Sequence, residues 1–543
     1  MLLWLRHYRR AMLPGDISAG IVVAMMMIPQ GMAYAMVAGL PPVVGIYASI
    51  APPLLYALFG TSSTQSIGPM AIISLMTAST LAPLAAPGSA LHGVLAAQLA
   101  LMSGAVLLAC GLLRIGFLAN FFSRPVMSGF TIGSAILITW GQLPALLGGA
   151  LPHVHAPSAL LGVGALALLV WARQWMAATL RRLKIPAVAA DIGAKLAPMA
   201  VVLGSLALVS GLGLDARGVA TTGEVGAGLP HLNLATSSAH WQALLQPALL
   251  IGFMIFLISM SGAQTLALKR GEKLASNAEL LGLGAANIGS ALSGGFPVTG
   301  SISRSAVNFA AGANTQLASV VTALLLGVAL VAPNGWLALL PLPVLAATII
   351  VAVLTLVDLS LLRTAWRYDR ADAAALLATA AGVLALGVEA GVVVGVALSM
   401  GALIWRASRP HIAVLGRIAG TEHFRNIDRY SAATAPGLMM LRVDAGLFFG
   451  NVEAVNERIE EELAAHPDTR HLVLVLSAVN AIDTSALFGL KELNASLRAR
   501  GVLLHLAEVK GPVMDRLKES DLLQSLSGRL YLSAAMAWDD LVE

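Results

Sequence analysis

Long apolar runs alternate with short polar connections over the first three quarters of the chain. About fourteen such runs lie between Ile17 and Ile404, and many reach the ~20 residues that cross a hydrocarbon core. They fall near 16–38, 42–60, 66–81, 91–112, 124–147, 157–179, 185–210, 242–266, 278–293, 300–311, 315–332, 336–356, 371–386 and 388–407. The pattern predicts a multi-pass α-helical membrane domain over residues 1–407, with seven spans in each half.

The pattern changes after about Pro436. Short β-rich runs such as "HLVLVLSAV" alternate there with amphipathic helical stretches such as "NVEAVNERIEEELAAH". Alternation of this kind within about 100 residues is typical of a small α/β domain with a mixed sheet. We therefore expect residues 408–435 to be a linker and residues 436–543 to form a separate domain.

Composition agrees with a membrane protein. Only 11% of the residues are charged and 57% are apolar, whereas soluble proteins carry about 25% charged residues. Residues 1–434 have a net charge of +11 and residues 435–543 one of −6, so the basic character belongs to the membrane part. This distribution gives no case for nucleic-acid binding, and the single cysteine, Cys110, excludes an internal disulfide framework.

Lys and Arg residues concentrate in every second connection. If the N-terminus is cytoplasmic, the even-numbered connections are cytoplasmic too, and the positive-inside rule predicts that they carry the excess of basic residues. The odd-numbered connections contain only Arg217. The even-numbered ones contain Arg114, Arg181, Arg182, Lys184, Lys269, Arg270, Lys273, Arg363, Arg367 and Arg370. We therefore expect both termini in the cytoplasm.

The tenth span contains the best candidate for a functional site, "GGFPVTGSISRSAVN" (Gly294–Asn308). Gly and Pro precede a short Ser-rich helix start that contains Ser301, Ser303 and Arg304. A broken helix is tolerated at membrane depth where it lines a cavity or is buried in protein. Its free N–H groups and positive dipole end favour an anion, and Arg304 adds a permanent charge.

The third span has the same organisation, in "GTSSTQSIGPMAIISLM" (Gly60–Met76). A polar run reaches Gly68 and Pro69, and a short apolar helix follows. Interrupted spans at corresponding positions of two halves indicate a transporter's binding site near the bilayer midplane. Two alternatives stay open: Arg304 as a structural cation paired with an acid such as Glu389, and Gly68-Pro69 as an ordinary kink.

Motifs for other functions are missing from the sequence. No GxSxG, Walker A or GxGxxG pattern predicts an enzyme or an ATPase, and the histidines lack metal-ligand spacing. We therefore expect no enzymatic activity, no cofactor and no metal, and we expect transport to be passive or ion-coupled.

Several motifs together resemble one family. The first-span sequence "IPQGMAYAMVAGLPP" (Ile28–Pro42), the two interrupted motifs, "GVEAGVVVGVALS" and "RPHIAVLGRI" are similar to the SulP sulfate permeases, bacterial relatives of solute carrier family 26. The C-terminal region resembles a STAS domain, with "NAIDTSAL" at a strand-to-helix loop. The resemblance implies a seven-plus-seven inverted repeat of core and gate domains in a homodimer in the bacterial inner membrane.

The resemblance also implies site residues. The anion would lie between the third and tenth spans, near Gln30, Tyr34, Gly68, Met70, Ser301, Ile302, Ser303 and Arg304. In the STAS domain, the loop with Asp483, Thr484 and Ser485 is expected to be regulatory and to offer a surface for a cytoplasmic protein partner. A Thr or Ser hydroxyl there is expected to cap the following helix.

Three positions, in two spans, depart from the family pattern. Ile258 occupies the place of an acidic residue of the eighth span, with Gln264 in place of a lysine, and Ser63 replaces a frequent arginine. We expect the nearest intramembrane acids to be Asp191, paired with Lys195, and Glu389, near the outer end of the last span. Loss of the acid argues against proton or sodium coupling and favours anion exchange or uncoupled flux by elevator-type alternating access.

Sulfate is the leading substrate on this interpretation. Bicarbonate and small dicarboxylates are alternatives within the same class. An anion channel and a membrane-anchored anion sensor that signals through the STAS domain are alternatives from other classes.

Overall fold

The computed structural model describes residues 3–6, 8–117, 123–150, 153–223, 228–230, 232, 236–332 and 335–542. They form two compact units, Met1–Ser399 and Met400–Glu543. The first unit is almost entirely helical, and the second contains a sheet with helices.

The described residues of the first half of the membrane unit form ten α-helices and one very short strand. The second predicted span is two helices, α3 (Pro42–Tyr47) and α4 (Ala51–Phe59), and a π-helical turn (Ala172–Met176) lies between α8 (Ala156–Trp171) and α9 (Ala177–Arg182). The elements are α1 (Leu3–Arg6), α2 (Leu13–Val37), α3 (Pro42–Tyr47), α4 (Ala51–Phe59), β1 (Ile67–Gly68), α5 (Ala71–Leu81), α6 (Ala90–Leu112), α7 (Arg124–Leu147), α8 (Ala156–Trp171), α9 (Ala177–Arg182) and α10 (Ala187–Leu212).

The second half likewise contains one very short strand between helices. Its elements are α11 (Trp241–Arg270), α12 (Ser276–Leu292), β2 (Thr299–Gly300), α13 (Ile302–Ala310), α14 (Leu317–Val331), α15 (Leu342–Leu354), α16 (Leu359–Tyr368), α17 (Arg370–Leu386) and α18 (Val388–Ser408). Each of the predicted apolar segments coincides with helix in the structure. Helix α16, in the connection between two spans, was not predicted.

Helix length varies widely among the spans. Eight helical stretches of the described residues are long and apolar enough to cross a membrane by length and composition. Helices α5 and α13, with 11 and 9 residues, are too short to do so, as their Gly- and Pro-rich starts predict. The fold is that of a multi-pass helical membrane protein.

The helices pack in two groups. One group brings α6 against α11 and α12, α4 against α12 and α14, and α2 against α13 and α14. Gly104 and Gly284 allow α6 and α12 to approach closely, because a Cβ at either position would lie 2.9 Å from the other residue's carbonyl oxygen. The second group consists of α7, α8, α10, α15 and α17.

The second unit is a six-stranded sheet of order β4-β3-β5-β6-β7-β8. Strands β5 to β8 are parallel, and β3 is antiparallel to both of its neighbours. Alternate residues of β5 enter cores on opposite faces of the sheet. The strands are β3 (Ile412–Arg417), β4 (Phe424–Asn426), β5 (Leu438–Val443), β6 (His471–Val475), β7 (Leu503–Ala507) and β8 (Leu530–Tyr531), and the helices are α19 (Val452–Ala465), α20 (Thr484–Ala499), α21 (Gly511–Lys518), α22 (Leu522–Ser525) and α23 (Ala534–Leu541).

The segment 408–435 differs from the expected linker. It contains β3 and β4, and β3 pairs with β5 from Ile412↔Val443 to Val414↔Leu441. Ala413 and Leu415 are buried in the same core as Leu438. Polar residues surround these short strands, so the composition of the segment predicted a linker and not two strands of the sheet.

Candidate functional site

Two short antiparallel strands bring the interrupted spans together. Ile67 of β1 pairs with Gly300 of β2, and Gly68 pairs with Thr299. The pairing continues into the helix starts, because the N–H of Ser301 donates to the carbonyl oxygen of Ser66 at 3.0 Å. Helices α5 and α13 therefore begin next to each other, from strands that run in opposite directions.

Both helix starts leave N–H groups without helical partners. Met70 precedes α5 in an extended conformation and provides no side-chain cap. Ser301 caps α13 by accepting a hydrogen bond from the N–H of Arg304 at 3.4 Å. The remaining N–H groups of the first turns carry the positive ends of the two helix dipoles.

Arg304 connects the two half-helices. Its side chain is 1% exposed, and Nη1 donates to the carbonyl oxygen of Pro69 at 2.9 Å. Its Nε and Nη2 atoms are buried without a hydrogen-bond partner. A Cβ on Gly68 would clash with Cε of Met27, so the glycine allows the side chain of Met27 to pack against the start of the half-helix. The structure thus places a permanent charge, with two unused donors, beside the start of α5.

A cavity of about 390 Å³ lies between the two groups of helices. From the first group, α2 and α13 contribute to its lining, and from the second group α8, α10 and α15 and the π-helical turn contribute. The lining residues are Met26, Gln30, Leu169, Arg173, Ala194, Ala197, Pro198, Ser303, Val307, Thr348, Val351, Ala352 and Thr355.

The predicted site residues divide between this cavity and the protein interior. Gln30 and Ser303 line the cavity, and Ile302 is 37% exposed beside Gly262 of α11. The other five, although close to the paired helix starts in sequence or space, are buried and are not part of the cavity lining. These are Tyr34, Gly68, Met70, Ser301 and Arg304.

Sequence reasoning missed Arg173. It is a single arginine within the predicted sixth span, and an ionisable residue inside a span is a functional signal in its own right. Thr348 and Thr355 of α15, on the same wall of the cavity, carry no such signal because hydroxyl residues are common in membrane helices.

Glu279 was also missed, and it supports the start of the third span. Its Oε1 accepts hydrogen bonds from the N–H and hydroxyl of Thr61, at 2.7 and 2.6 Å, and from the N–H of Ser62 at 3.0 Å. The hydroxyl of Tyr56 lies 2.6 Å from Oε2 and 2.8 Å from Gln65 Oε1. A carboxylate with this many donors holds the polar loop before β1 in place.

A second buried carboxylate has a comparable environment. Asp16 of α2 accepts from the N–H groups of Asn314 and Thr315, at 2.6 and 2.9 Å, and from the Thr315 hydroxyl at 2.7 Å. Sequence reasoning named Asp191 and Glu389 as the nearest intramembrane acids and did not single out Asp16 or Glu279. Glu389 is hydrogen-bonded to the hydroxyl of Thr80, and the side chain of Asp191 lies outside the described residues.

Asp483 caps α20 in the second unit. Its carboxylate accepts from the N–H of Ala486 at 2.8 Å and from the N–H of Phe449 at 2.9 Å. The expectation that a Thr or Ser hydroxyl caps this helix is wrong, since Thr484 and Ser485 follow the cap and are exposed. A carboxylate accepts two backbone donors at once, which a single hydroxyl oxygen does less well.

Comparisons with known proteins identify the family. The model of the sulfate permease family matches residues 13–379, and the model of the STAS domain matches residues 429–537. The chain belongs to the sulfate permease family. This permease is 37% identical to a probable sulfate transporter of Mycobacterium tuberculosis, over 96% of this chain and 94% of the relative. It is 35% identical to the chloroplastic sulfate transporter 4.1 of Arabidopsis thaliana, over 92% and 76% of the two chains.

Solved structures have the same fold. The overall structure of SLC26A9 matches the permease with a TM-score of 0.88 at 22% identity, over 99% of this chain and 93% of that one. The transmembrane domain of a cyanobacterium bicarbonate transporter matches with a TM-score of 0.61 at 22% identity, over 72% and 98%. The permease is accordingly an anion transporter of this family and not an enzyme.

Proposed function

We propose that this permease is a secondary transporter of inorganic anions with sulfate as its leading substrate. The observation that carries the proposal is Arg304, buried between two helix N-termini with its Nε and Nη2 atoms unpaired. Relatives over nearly the full chain are named sulfate transporters, which supports the choice of sulfate.

The proposed site suits an anion that binds without a metal or a proton. Sulfate accepts hydrogen bonds at four oxygens, so it requires several converging donors. The first-turn N–H groups of α5 and α13, the hydroxyl of Ser303 and the amide of Gln30 supply them on our proposal. Arg304 acts mainly through its charge and through the position it gives to α5, since it lies behind the cavity lining.

Elevator-type alternating access fits the packing of the membrane unit. The half-helices belong to the group that contains α2, α11 and α14, whereas the opposite wall of the cavity belongs to the group of α8, α10 and α15. Movement of the first group against the second would carry a bound anion across the bilayer. We propose that both termini lie in the cytoplasm, that the permease is a homodimer of the bacterial inner membrane, and that the STAS loop regulates transport or binds a cytoplasmic protein.

Uptake into proteoliposomes tests the function. Labelled sulfate is offered with unlabelled sulfate, bicarbonate, chloride, fumarate or oxalate as the competitor, with and without internal sulfate. We expect sulfate to compete best and internal sulfate to accelerate uptake or leave it unchanged. If another anion competes more strongly than unlabelled sulfate, that anion and not sulfate is the leading substrate.

The same assay separates the other classes of function. A pure anion sensor would show no protein-dependent flux of any of these anions. A channel would show flux that does not saturate and that follows the membrane potential, with no acceleration by internal sulfate.

A further inference from the structure

We infer that Arg173 forms a second anion-binding position, on the wall of the cavity that faces α2 and α13. Gln30 and Ser303 lie on one wall, and Arg173 lies on the other with Thr348 and Thr355. The inference deepens the proposed function, because it names a further residue that determines how the permease binds its anion.

The cost of a charge in the bilayer supports a role for Arg173. The continuous helical stretch Ala156–Arg182 is one of the membrane-spanning candidates, and Arg173 is about 13 Å of helix from its C-terminal end. An arginine at such a depth is expensive unless it faces water or a partner. The side chain of Arg173 lines the cavity instead of a purely apolar surface.

The backbone at Arg173 is also unusual. Residues Ala172–Met176 form a π-helical turn inside an otherwise α-helical span. Such turns are rare and are frequent at functional sites, because one extra residue re-aims the side chains that follow.

The hydrogen-bonding capacity of this wall depends on Arg173. The hydroxyl of Thr348 donates to the carbonyl oxygen of Leu345 at 2.7 Å, and that of Thr355 donates to Ala352 at 2.5 Å. Each threonine therefore uses its one donor within its own helix. Among the described residues of the cavity lining on α8, α10 and α15 and the π-helical turn, Arg173 alone carries side-chain N–H groups to offer an anion.

A position with donors on both walls explains how an anion would move through the cavity. Arg173 attracts the anion into the cavity and shares it with Ser303 and the start of α13 on the facing wall. When the two groups of helices move relative to each other, the guanidinium group of Arg173 releases the anion to the half-helices or to water. Arg173 should therefore affect the apparent affinity more strongly than the maximal rate.

The chain has a single native cysteine, Cys110, so one substitution gives a parent protein without reactive thiols. Cys110→Ala removes it, and Arg173→Cys is then introduced, with Arg182→Cys as the matched control. Arg182 is an exposed cation in the last turn of α9 and is not part of the cavity lining. Each protein is reconstituted in full length and treated with methanethiosulfonate reagents that attach either an ethylammonium or an ethylsulfonate group.

We expect Arg173→Cys to raise the KM for sulfate about tenfold with a smaller change in maximal rate, as for one lost charge-assisted contact. The ethylammonium group should restore most of the affinity, and the ethylsulfonate group should weaken it further. The Arg182→Cys protein should change less than twofold under every treatment. A purely structural role would not depend on the sign of the attached charge, so equal effects of the two reagents would overturn the inference.

A binding measurement keeps the inference separate from the proposed function. The rate of modification at Arg173→Cys is followed by intact mass, with sulfate, chloride or bicarbonate present. We expect at least one anion to slow modification there and not at Arg182→Cys. If the native permease transports no sulfate, the proposed substrate is wrong, yet protection of Arg173→Cys by another anion would still support the inference. Absence of protection by all three anions would overturn the inference.

Discussion

The guanidinium group of Arg304 donates a hydrogen bond of 2.9 Å to the carbonyl oxygen of Pro69 and so joins the first turn of α13 to the residue pair that precedes α5. The contact places one fixed charge beside two helix starts. It also makes the position of each half-helix depend on the other.

Replacement of Arg304 should therefore abolish most transport. We expect Arg304→Ala to lower sulfate uptake by at least tenfold, because both the charge and the link to Pro69 are lost. Arg304→Lys should also impair uptake, since an ammonium group does not reproduce the planar fork. Uptake is measured in proteoliposomes at equal protein content, with Arg182→Ala as a control for a lost surface charge. Near-normal uptake by a folded Arg304→Ala protein would refute the proposed site.

Loss of the Glu279 carboxylate should destabilise the membrane unit. Glu279→Gln keeps one acceptor oxygen for the N–H groups of Thr61 and Ser62 but replaces Oε2, which accepts from the Tyr56 hydroxyl, by an NH2 group, and we expect the free energy of unfolding to fall by about 2 kcal/mol. Tyr56→Phe removes one donor and should cost about 1 kcal/mol. Thermal unfolding in detergent is the measurement. Because the two residues are in contact, the double variant should lose less than the sum of the single variants.

Transport should depend weakly on a proton gradient. Ile258 is buried in an apolar cluster and cannot titrate, and Asp16 and Glu279 are occupied by backbone donors. We expect similar uptake with and without an inward proton gradient at fixed external pH. Strong gradient-driven accumulation would contradict the prediction.

Ile258→Glu is the complementary variant. Ile258 lies one turn from Ile255, whose carbonyl accepts from the Thr299 hydroxyl at 2.9 Å, and one turn from Gly262, which faces Ile302. This helix face is directed towards β2 and α13. We therefore expect the new carboxyl group to make uptake depend on pH, and Leu257→Glu to serve as the neighbouring control. Unchanged pH dependence in a stable Ile258→Glu protein would show that the position is too far from the anion.

The boundary of a truncation should decide whether the protein tolerates it. Deletion of residues 436–543 leaves β3 without its partner β5 and exposes Ala413 and Leu415, whereas deletion of residues 411–543 removes the whole sheet. We expect the first truncated protein to aggregate more. The second should have a lower maximal rate or expression level with an unchanged order of competing anions, as measured by uptake and size-exclusion chromatography.

The second unit should lose stability in mild acid. Burial beside His471 lowers the pKa of His505 to about 4, and its Nδ1 accepts from the N–H of Arg529 at 3.0 Å. Between pH 6.5 and 4 the unfolded chain binds a proton that the folded unit does not, so stability falls as pH falls. We expect a loss of about 1 kcal/mol between pH 7.5 and 5.5, measured by pulse proteolysis of the full-length protein in urea. His505→Asn should flatten this dependence, and His423→Gln, an exposed control, should not.

The sequence by itself determined the order of the helical segments, the two interrupted helices and the α/β character of the C-terminal unit. These features depend on the length of apolar runs, on strand and helix periodicity and on Gly and Pro at helix starts, all of which act over a few neighbouring residues. The role of Arg304 as a cation near the paired helix starts followed from the same local pattern, because a lone charge in a broken span is a strong signal.

Tertiary structure decided which side chains meet. The contact of Arg304 with Pro69 joins residues 235 positions apart, and that of Glu279 with Thr61 joins residues 218 positions apart. Neither separation leaves a periodic pattern in the sequence, because helix packing chooses the partners. The same reason applies to Arg173, whose side chain reaches the cavity only because α8, α10 and α15 pack around it, and to β3, whose partner strand lies beyond a polar segment.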